Sequence, residues 1–282
     1  MLTKVYYPYY RYYRCIADSC PMCCCKYFRI SFFKWEEKLF DTKPEWKDFD
    51  GNGSSIREYL GHDAEGWFCK DSSKGACTFW GSDGLCEVQK KFGAGAMPSA
   101  CRTYPRVVTG YPDRMEYALD ACCPVVAASV WNWNTGAFIT EGPPCDTPEA
   151  GSLTAKRNSA MHMLSDESAS LSDCLRQIDS LFECGVSIPD IILDKDKSEY
   201  MRRMSILLIW ENILRHEHSS KGNTIMTLLL EFICRYSLRL GQTEFPSRWE
   251  MSVDFSKNYI SFIKGTPIEP DDEDRFIDVI PE

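Results

Sequence analysis

The stretch CPMCCCKYF (residues 20–28) sets Cys20, Cys23, Cys24 and Cys25 within six residues. Sulfurs this close call for a metal or iron–sulfur site, a disulfide framework, or a run of ordinary buried thiols. The rest of the chain decides among them. Its N-terminus lacks the continuous apolar stretch of a secretion signal. The most apolar run, TIMTLLLEFIC (224–234), is broken by Glu231 and is too short to span a bilayer. A cytoplasmic protein with no membrane partner is therefore expected. In that compartment thiols stay reduced, so a dense cysteine set favours metal over disulfides. The count of 15 cysteines is odd, which also suits a complete disulfide framework poorly.

The chain of 282 residues is long enough for one large domain or two of ordinary size. An apolar fraction of 44% and an aromatic fraction of 13% are those of a globular protein. A net charge of −9 offers no general basic field to a phosphate backbone, so no nucleic acid partner is expected. The local exception is KVYYPYYRYYR (4–14), where one lysine and two arginines interleave with six tyrosines. Such an arm could stack on bases. The plainer reading is a tyrosine-rich edge packing over the cysteine region.

Cysteines are spread unevenly: twelve fall between Cys15 and Cys145, and Cys174, Cys184 and Cys234 follow. The first region is rich in Gly, Pro and aromatics, with turn signals such as DGNGSS and GSDG. LCEVQKKFG (85–93) reads as a short helix closed by Gly93. RVVTGYPDRMEYALD (106–120) reads as a hairpin around a Pro-Asp turn, and CPVVAASVWNW (123–133) as a helix entered at Pro124. TEGPPCDTPEAGS (140–152) has the composition of a linker. Beyond it, apolar residues recur at helical spacing over 198–216, 223–241 and 247–265. The acidic stretch EPDDEDRFIDVIPE (269–282) reads as a tail. The expected fold is mainly α: an irregular, cysteine-rich, metal-binding N-terminal region (1–145) with a small β-hairpin, then a helical C-terminal region (146–282).

Three further cysteine pieces join the opening cluster: CTFWGSDGLC (77–86), CRTYPR (101–106) and CCP (122–124). In this order, with FRI after Cys25 and DGLCEVQKKFG closing the C-x8-C piece, they resemble the flagellin lysine-N-methylase family. The shorter YkgJ-like cysteine-cluster proteins, described as zinc- or iron-chelating, are similar across the first three pieces. The resemblance covers roughly residues 6–130. It implies a protein-lysine N-methyltransferase acting on flagellin, with S-adenosylmethionine and an iron–sulfur cluster, 4Fe-4S in type, zinc being the alternative. It also implies the ligands: Cys24, Cys25, Cys77, Cys86 and Cys101 are shared by both groups, and Cys20 and Cys123 fit the methylase pattern. A non-catalytic iron–sulfur or zinc protein, for metal binding, electron transfer or partner binding, is the alternative function.

Spacing alone leaves the metal open. Cys20-x2-Cys23 could form one zinc knuckle, but Cys77 and Cys86 lie too far apart to form the second in the usual way. An iron–sulfur cluster takes four thiolates from wherever the fold gathers them. The C-x3-C-x2-C signature of radical S-adenosylmethionine enzymes is absent, since Tyr27 stands where the third cysteine would. Cys23 is a spare, Cys15 a buried thiol or a pattern start, and Cys69, Cys122 and Cys145 are off-pattern. Cys174, Cys184 and Cys234 read as buried thiols on helices. Arg102, Tyr104 and Arg106 are the expected cofactor-binding residues. The arginines would donate to cluster sulfur or bind a carboxylate of substrate or cofactor; without the resemblance they read as a surface pair. Trp67, Trp80, Trp131, Trp133 and the tyrosine arm could cradle a sulfonium or methylated ammonium, though each alone reads as core.

Other chemistries find little support. His216 and His218 point to different faces of one helix, and His62 and His162 are solitary. No G-x-G-x-x-G follows a strand, and FGAGAMPSA (92–100) follows a helix without a phosphate-loop lysine, so it reads as a turn. No local pattern identifies a catalytic base.

Overall fold

The computed structural model of the chain describes residues 2–72, 75–133, 138–144, 148–149, 151–216 and 222–265, with backbone alone over 214–216. The chain opens on strand β1 (Thr3–Tyr6). Short elements follow: helices α1 (Cys24–Tyr27) and α2 (Pro44–Lys47), strands β2 (Leu60–Asp63) and β3 (Gly66–Cys69), and helices α3 (Glu87–Phe92) and α4 (Ser99–Thr103). Strands β4 (Arg106–Gly110) and β5 (Arg114–Leu119), helix α5 (Pro124–Ser129) and strand β6 (Ile139–Glu141) come next. Longer helices complete the order: α6 (Leu153–Ser165), α7 (Leu171–Phe182), α8 (Lys195–His216), α9 (Gly222–Gln242) and α10 (Arg248–Gly265). These elements form two compact units, one of Arg14–Tyr104 and one of Met1–Tyr13 with Pro105–Glu282.

The unit Arg14–Tyr104 has little regular structure and is held by an aromatic core. Phe32, Phe40, Trp46, Phe49, Ile56, Phe79 and Val88 are buried together. Phe32 meets Phe40 and Trp46 edge-on, with ring centroids 5.2 and 5.6 Å apart. Each such ring removes a large apolar area from water, which is how a chain with short helices can still stabilise a fold. The indole N–H of Trp46 donates to the Ala96 carbonyl at 2.6 Å, so its one polar atom is satisfied inside the core. Strands β2 and β3 pair as an antiparallel hairpin, Leu60 opposite Cys69, and only Cys69 of β3 is fully buried.

In the second unit the sheet order is β4-β5-β1-β6. β4 and β5 form the hairpin expected over 106–120, closed by Tyr111 N–H to the Arg114 carbonyl at 2.7 Å across the Pro-Asp turn. β1 runs parallel to β5 and antiparallel to β6. Tyr6 is registered opposite Tyr117, and the two rings stack at 4.4 Å. Cross-strand pairs of this kind are what stabilise a small sheet. Helix α8 packs against α6, α9, β4 and β5. Ile206, Leu207, Leu208, Ile209 and Trp210 are all buried, the mark of a helix with core on every side. Serines start α6, α7 and α10: Ser152 accepts from Ala155 N–H at 3.2 Å, Ser170 from Asp173 N–H at 3.1 Å and Ser247 from Glu250 N–H at 3.2 Å.

The mainly α class, the β4–β5 hairpin, the helix closed by Gly93 (φ +81°) and the helix entered at Pro124 are as expected. The three helical stretches after 195 also appear where their periodicity places them. Two features differ. Residues 3–6, where the tyrosine arm begins, are an inner strand, because they find β5 on one side and β6 on the other. The compact units divide at 13/14 and 104/105, not near 145, because β1 and β6 join the hairpin into one sheet. Within the expected linker, residues 140 and 141 belong to β6. Cys145, His218 and the acidic tail at 269–282 lie outside the described residues.

Candidate metal centre

The unit Arg14–Tyr104 gathers Cys24, Cys25, Cys77, Cys86 and Cys101. Cys24 and Cys25 open α1, Cys86 precedes α3 as its N-cap, and Cys101 sits in α4. The backbone joins the first two pieces directly, since Cys77 N–H donates to the Cys25 carbonyl at 2.7 Å. The C-x8-C piece folds back on itself: Gly81 N–H donates to the Leu85 carbonyl at 2.8 Å, and Glu87 N–H to the Phe79 carbonyl at 2.9 Å. A glycine is required at residue 84 of this return. Gly84 has φ +83°, and a Cβ on Gly81 would fall 2.2 Å from Glu87 Oε1. Residues 77 and 86 thereby come to one side of the unit.

The electrostatics of these thiols follow from their crowding. The Cys25 thiol is raised far above its ordinary range, first by its hydrogen bond with the Cys77 thiol and then by burial. At Cys77 the bond to Cys25 acts downward, but a hydrogen bond with Cys69 and burial carry it up to about 12. Burial raises Cys86. Burial also raises Cys101, helped by the negative charge that Cys25, Cys77, Cys86 and Cys24 would carry beside it. Cys25, Cys77, Cys86 and Cys101 therefore stand as protonated neighbours, since thiolates so close repel one another and lack water. A bound cation would reverse that preference and release protons.

Whether these residues suit a metal turns on donor type and spacing. The donors are all sulfur, with no histidine or carboxylate among them, which selects soft metals and iron–sulfur clusters. Around one tetrahedral zinc with bonds of about 2.3 Å, sulfurs lie roughly 3.8 Å apart. No group of three or more His, Cys, Asp or Glu among the described residues is arranged to hold a single ion in this way. The donor set fits a cluster chemically; its present spacing does not fit a single ion.

The other expected residues are placed elsewhere. Cys20 lies with Cys15 and Cys23 and donates to the Met22 carbonyl at 3.1 Å. Cys123 belongs to the second unit, where it caps α5 and lies 3.6 Å from the Tyr13 hydroxyl. Arg102 donates to Ser99 Oγ at 2.9 Å and Arg106 to the Tyr13 carbonyl at 3.4 Å, and among the described residues neither donates to a cysteine sulfur. Tyr104 packs its ring on Phe28 at 5.2 Å. CRTYPR is split, with Cys101, Arg102 and Tyr104 in one unit and Arg106 in the other. Several aromatic faces are filled by protein: Trp67 by Phe40, Trp131 by Tyr200, Trp133 by Tyr7 and Trp80 by Lys26. Cys69, off-pattern in sequence, faces Cys77. Its inward place at the end of β3 is the signal that could have found it.

No protein-family model matches the chain, and no solved structure matches it. Part of the chain is similar to the flagellar biosynthetic protein FliU of Salmonella muenchen, 26% identical over 122 residues, or 43% of this chain and 72% of that protein. It is also 26% identical over 121 residues to a lysine-N-methylase of Salmonella typhimurium strain LT2, and over 122 residues to one of Salmonella choleraesuis. Those matches take in 43% of this chain and 30% of each methylase, so the chain spans well under half the length of these two relatives. The likeness read from the cysteine motifs is thus matched by similarity, over part of the chain, to proteins named lysine-N-methylase.

Proposed function

We propose that this protein is a lysine N-methyltransferase of the flagellar system, with flagellin as substrate, S-adenosylmethionine as methyl donor and an iron–sulfur cluster on Cys24, Cys25, Cys77, Cys86 and Cys101. The observation that carries the reaction class is the similarity to two lysine-N-methylases and to a flagellar biosynthetic protein. Support for the cluster is separate: an all-sulfur donor set gathered in one unit. More thiols are present than the four a cluster takes, so one of them, or Cys69, acts as a neighbour that donates to cluster sulfur.

Methyl transfer from a sulfonium to a lysine needs the amine neutral and in line with the methyl. Desolvation lowers an amine's pKa and supplies the neutral form. When bound, the cluster would supply a fixed negative body that ties α1, the C-x8-C return and α4 together. The ligating thiols would release their protons to solvent as it bound, leaving thiolates to hold it.

The second reading is a non-catalytic iron–sulfur or zinc protein serving metal binding, electron transfer or partner binding. It is favoured by one fact, that the match takes in only 30% of each methylase. Labelled S-adenosylmethionine offered with flagellin to anaerobically purified protein separates the two. Label on flagellin lysines supports the methyltransferase; an iron- and sulfide-bearing protein that transfers none supports the alternative.

A further inference from the structure

The thiol group uses nothing of the second unit, yet that unit has a cavity of its own. It measures about 420 Å³ and is lined by Leu164, Glu167, Leu171, Ile191, Lys195 and Arg202, among others. This volume is within the range that holds a small organic ligand, roughly 300–1,000 Å³. The lining comes from the end of α6, the start of α7, the extended segment before α8 and the first turns of α8.

Arg202 is the unusual member, a guanidinium only 7% exposed. It donates to the carbonyls of Leu164 at 3.3 Å, Asp166 at 3.1 Å and Ala169, and to Cys174 Sγ at 3.4 Å. All of these acceptors are neutral, although the charge of Arg202 also acts on the nearby Asp166 carboxylate, adding to the bonds from Ser168 that lower its pKa. The carboxylate of Asp166 bonds Ser168 instead, accepting from its N–H at 2.9 Å and its hydroxyl at 2.6 Å. Arg202 Nε–H donates to none of the described residues, so a donor remains. A buried cation is ordinarily met by an anion. The first turns of α7 and α8 add their positive ends to the same wall. Lys195 and Glu167, both exposed on the lining, make no ion pair with any described residue. Leu164, Leu171 and Ile191 supply apolar surface between these charges.

The lining thus holds a buried guanidinium, a lysine and a carboxylate without ion pairs among the described residues, the Glu199 carboxylate already held by Arg203, and an apolar wall, a complement for a zwitterion with an uncharged body. We propose that this cavity binds a small molecule with an α-amino-acid end, its carboxylate on Arg202 and Lys195 and its ammonium on Glu167. The inference deepens the methyltransferase reading, whose donor carries such an end, and rests on that reading for the identity of the body.

The test is calorimetric titration of the full chain with S-adenosylmethionine, S-adenosylhomocysteine and free methionine, alongside transfer of labelled methyl to flagellin. The variants are Lys195→Glu, Glu167→Lys and Ile191→Trp, each checked for an unchanged melting transition; Arg202 is kept because it also holds the α6–α7 turn. Charge reversal at either rim position should weaken binding roughly tenfold, and the tryptophan, which fills the cavity, should abolish it. Adenosyl-ligand binding that is unchanged in all three variants overturns the cavity while leaving methyl transfer standing. Binding of methionine alone, sensitive to the variants and without methyl transfer, supports the cavity and counts against the methyltransferase. No binding of any probe overturns the proposal.

Discussion

Glu36 and Ser99, far apart in sequence, are joined inside the core of the cysteine-rich unit: the buried carboxylate accepts from Ser99 N–H at 2.9 Å. Its other oxygen accepts from Phe33 N–H, also at 2.9 Å. One side chain thus caps the first turn of α4 and the turn after Phe33. Because α4 carries Cys101, this carboxylate sets where one of the five gathered thiols stands.

Replacing Glu36 tests that role. Glu36→Ala leaves two buried N–H groups without acceptors, each costing about 1–3 kcal/mol. Glu36→Gln keeps one acceptor and should cost about half as much. Urea unfolding gives the order, and the alanine variant should also hold less metal. Equal stability of the two variants would count against the cap.

The ion pair of Arg157 with Glu116, 2.7 Å long and 2% exposed on both sides, joins α6 to β5. Arg157 also lies 4.3 Å from the Trp210 ring centroid, on α8. Arg157→Met leaves the buried Glu116 carboxylate to Arg114 alone, whose Nε–H donates to it at 2.6 Å, and should cost about 1.5–3 kcal/mol. The double variant with Glu116→Gln should cost less than the sum of the singles. A double-mutant cycle that proves additive would show the pair to be uncoupled.

Serine at Cys24, Cys25, Cys77, Cys86 or Cys101 should sharply reduce bound iron and acid-labile sulfide, an alcohol being a poor ligand to either metal considered. Serine at Cys174, whose thiol donates to the Met163 carbonyl at 3.2 Å, should leave metal content unchanged. Visible absorbance of protein purified without oxygen reads both outcomes. Equal losses at both kinds of position would remove the assignment.

Removing the metal should act unevenly along the chain. If ligation ties α1, the C-x8-C return and α4, chelation should open Arg14–Tyr104 to hydrogen exchange. Helices α6–α10 lie in the other unit and should keep their protection. Simultaneous loss in both would show that they unfold as one.

Alkaline pH offers a separate check in the helical unit. Burial pushes the Cys234 thiol up to about 11, with Asp179 adding to the shift and Arg176 opposing it. A thiol raised in the fold favours folding while protonated. Its contribution is complete below the unfolded value of about 8.5 and disappears as pH rises through about 11. Cys234→Ala should therefore flatten the decline in stability over that window, measured by urea unfolding at stepped pH. An unchanged slope would place the alkaline sensitivity elsewhere.

Much of this protein was legible in residue order because the signals are local. The 3.6-residue period of α9, the Pro-Asp turn of the β4–β5 hairpin, Gly93 after α3 and Pro124 at the start of α5 each act within a few residues. The family resemblance, not a local signal, named Cys24, Cys25, Cys77, Cys86 and Cys101 as expected ligands; the fold brings these five near one another. What residue order left open depends on groups distant along the chain. β1 is a strand because β5 and β6 supply its hydrogen bonds, and no property of residues 3–6 reveals partners at 114–117 and 139–141. The same long-range pairing moves the boundary between units away from the Pro- and Gly-rich stretch near 145. Cys69 and Cys77 meet only because the β2–β3 hairpin and the aromatic core set them side by side, and Cys20 stays with Cys15 and Cys23 although it opens the densest sulfur run. Spacing in sequence limits which thiols can meet; burial of the surrounding rings decides which do.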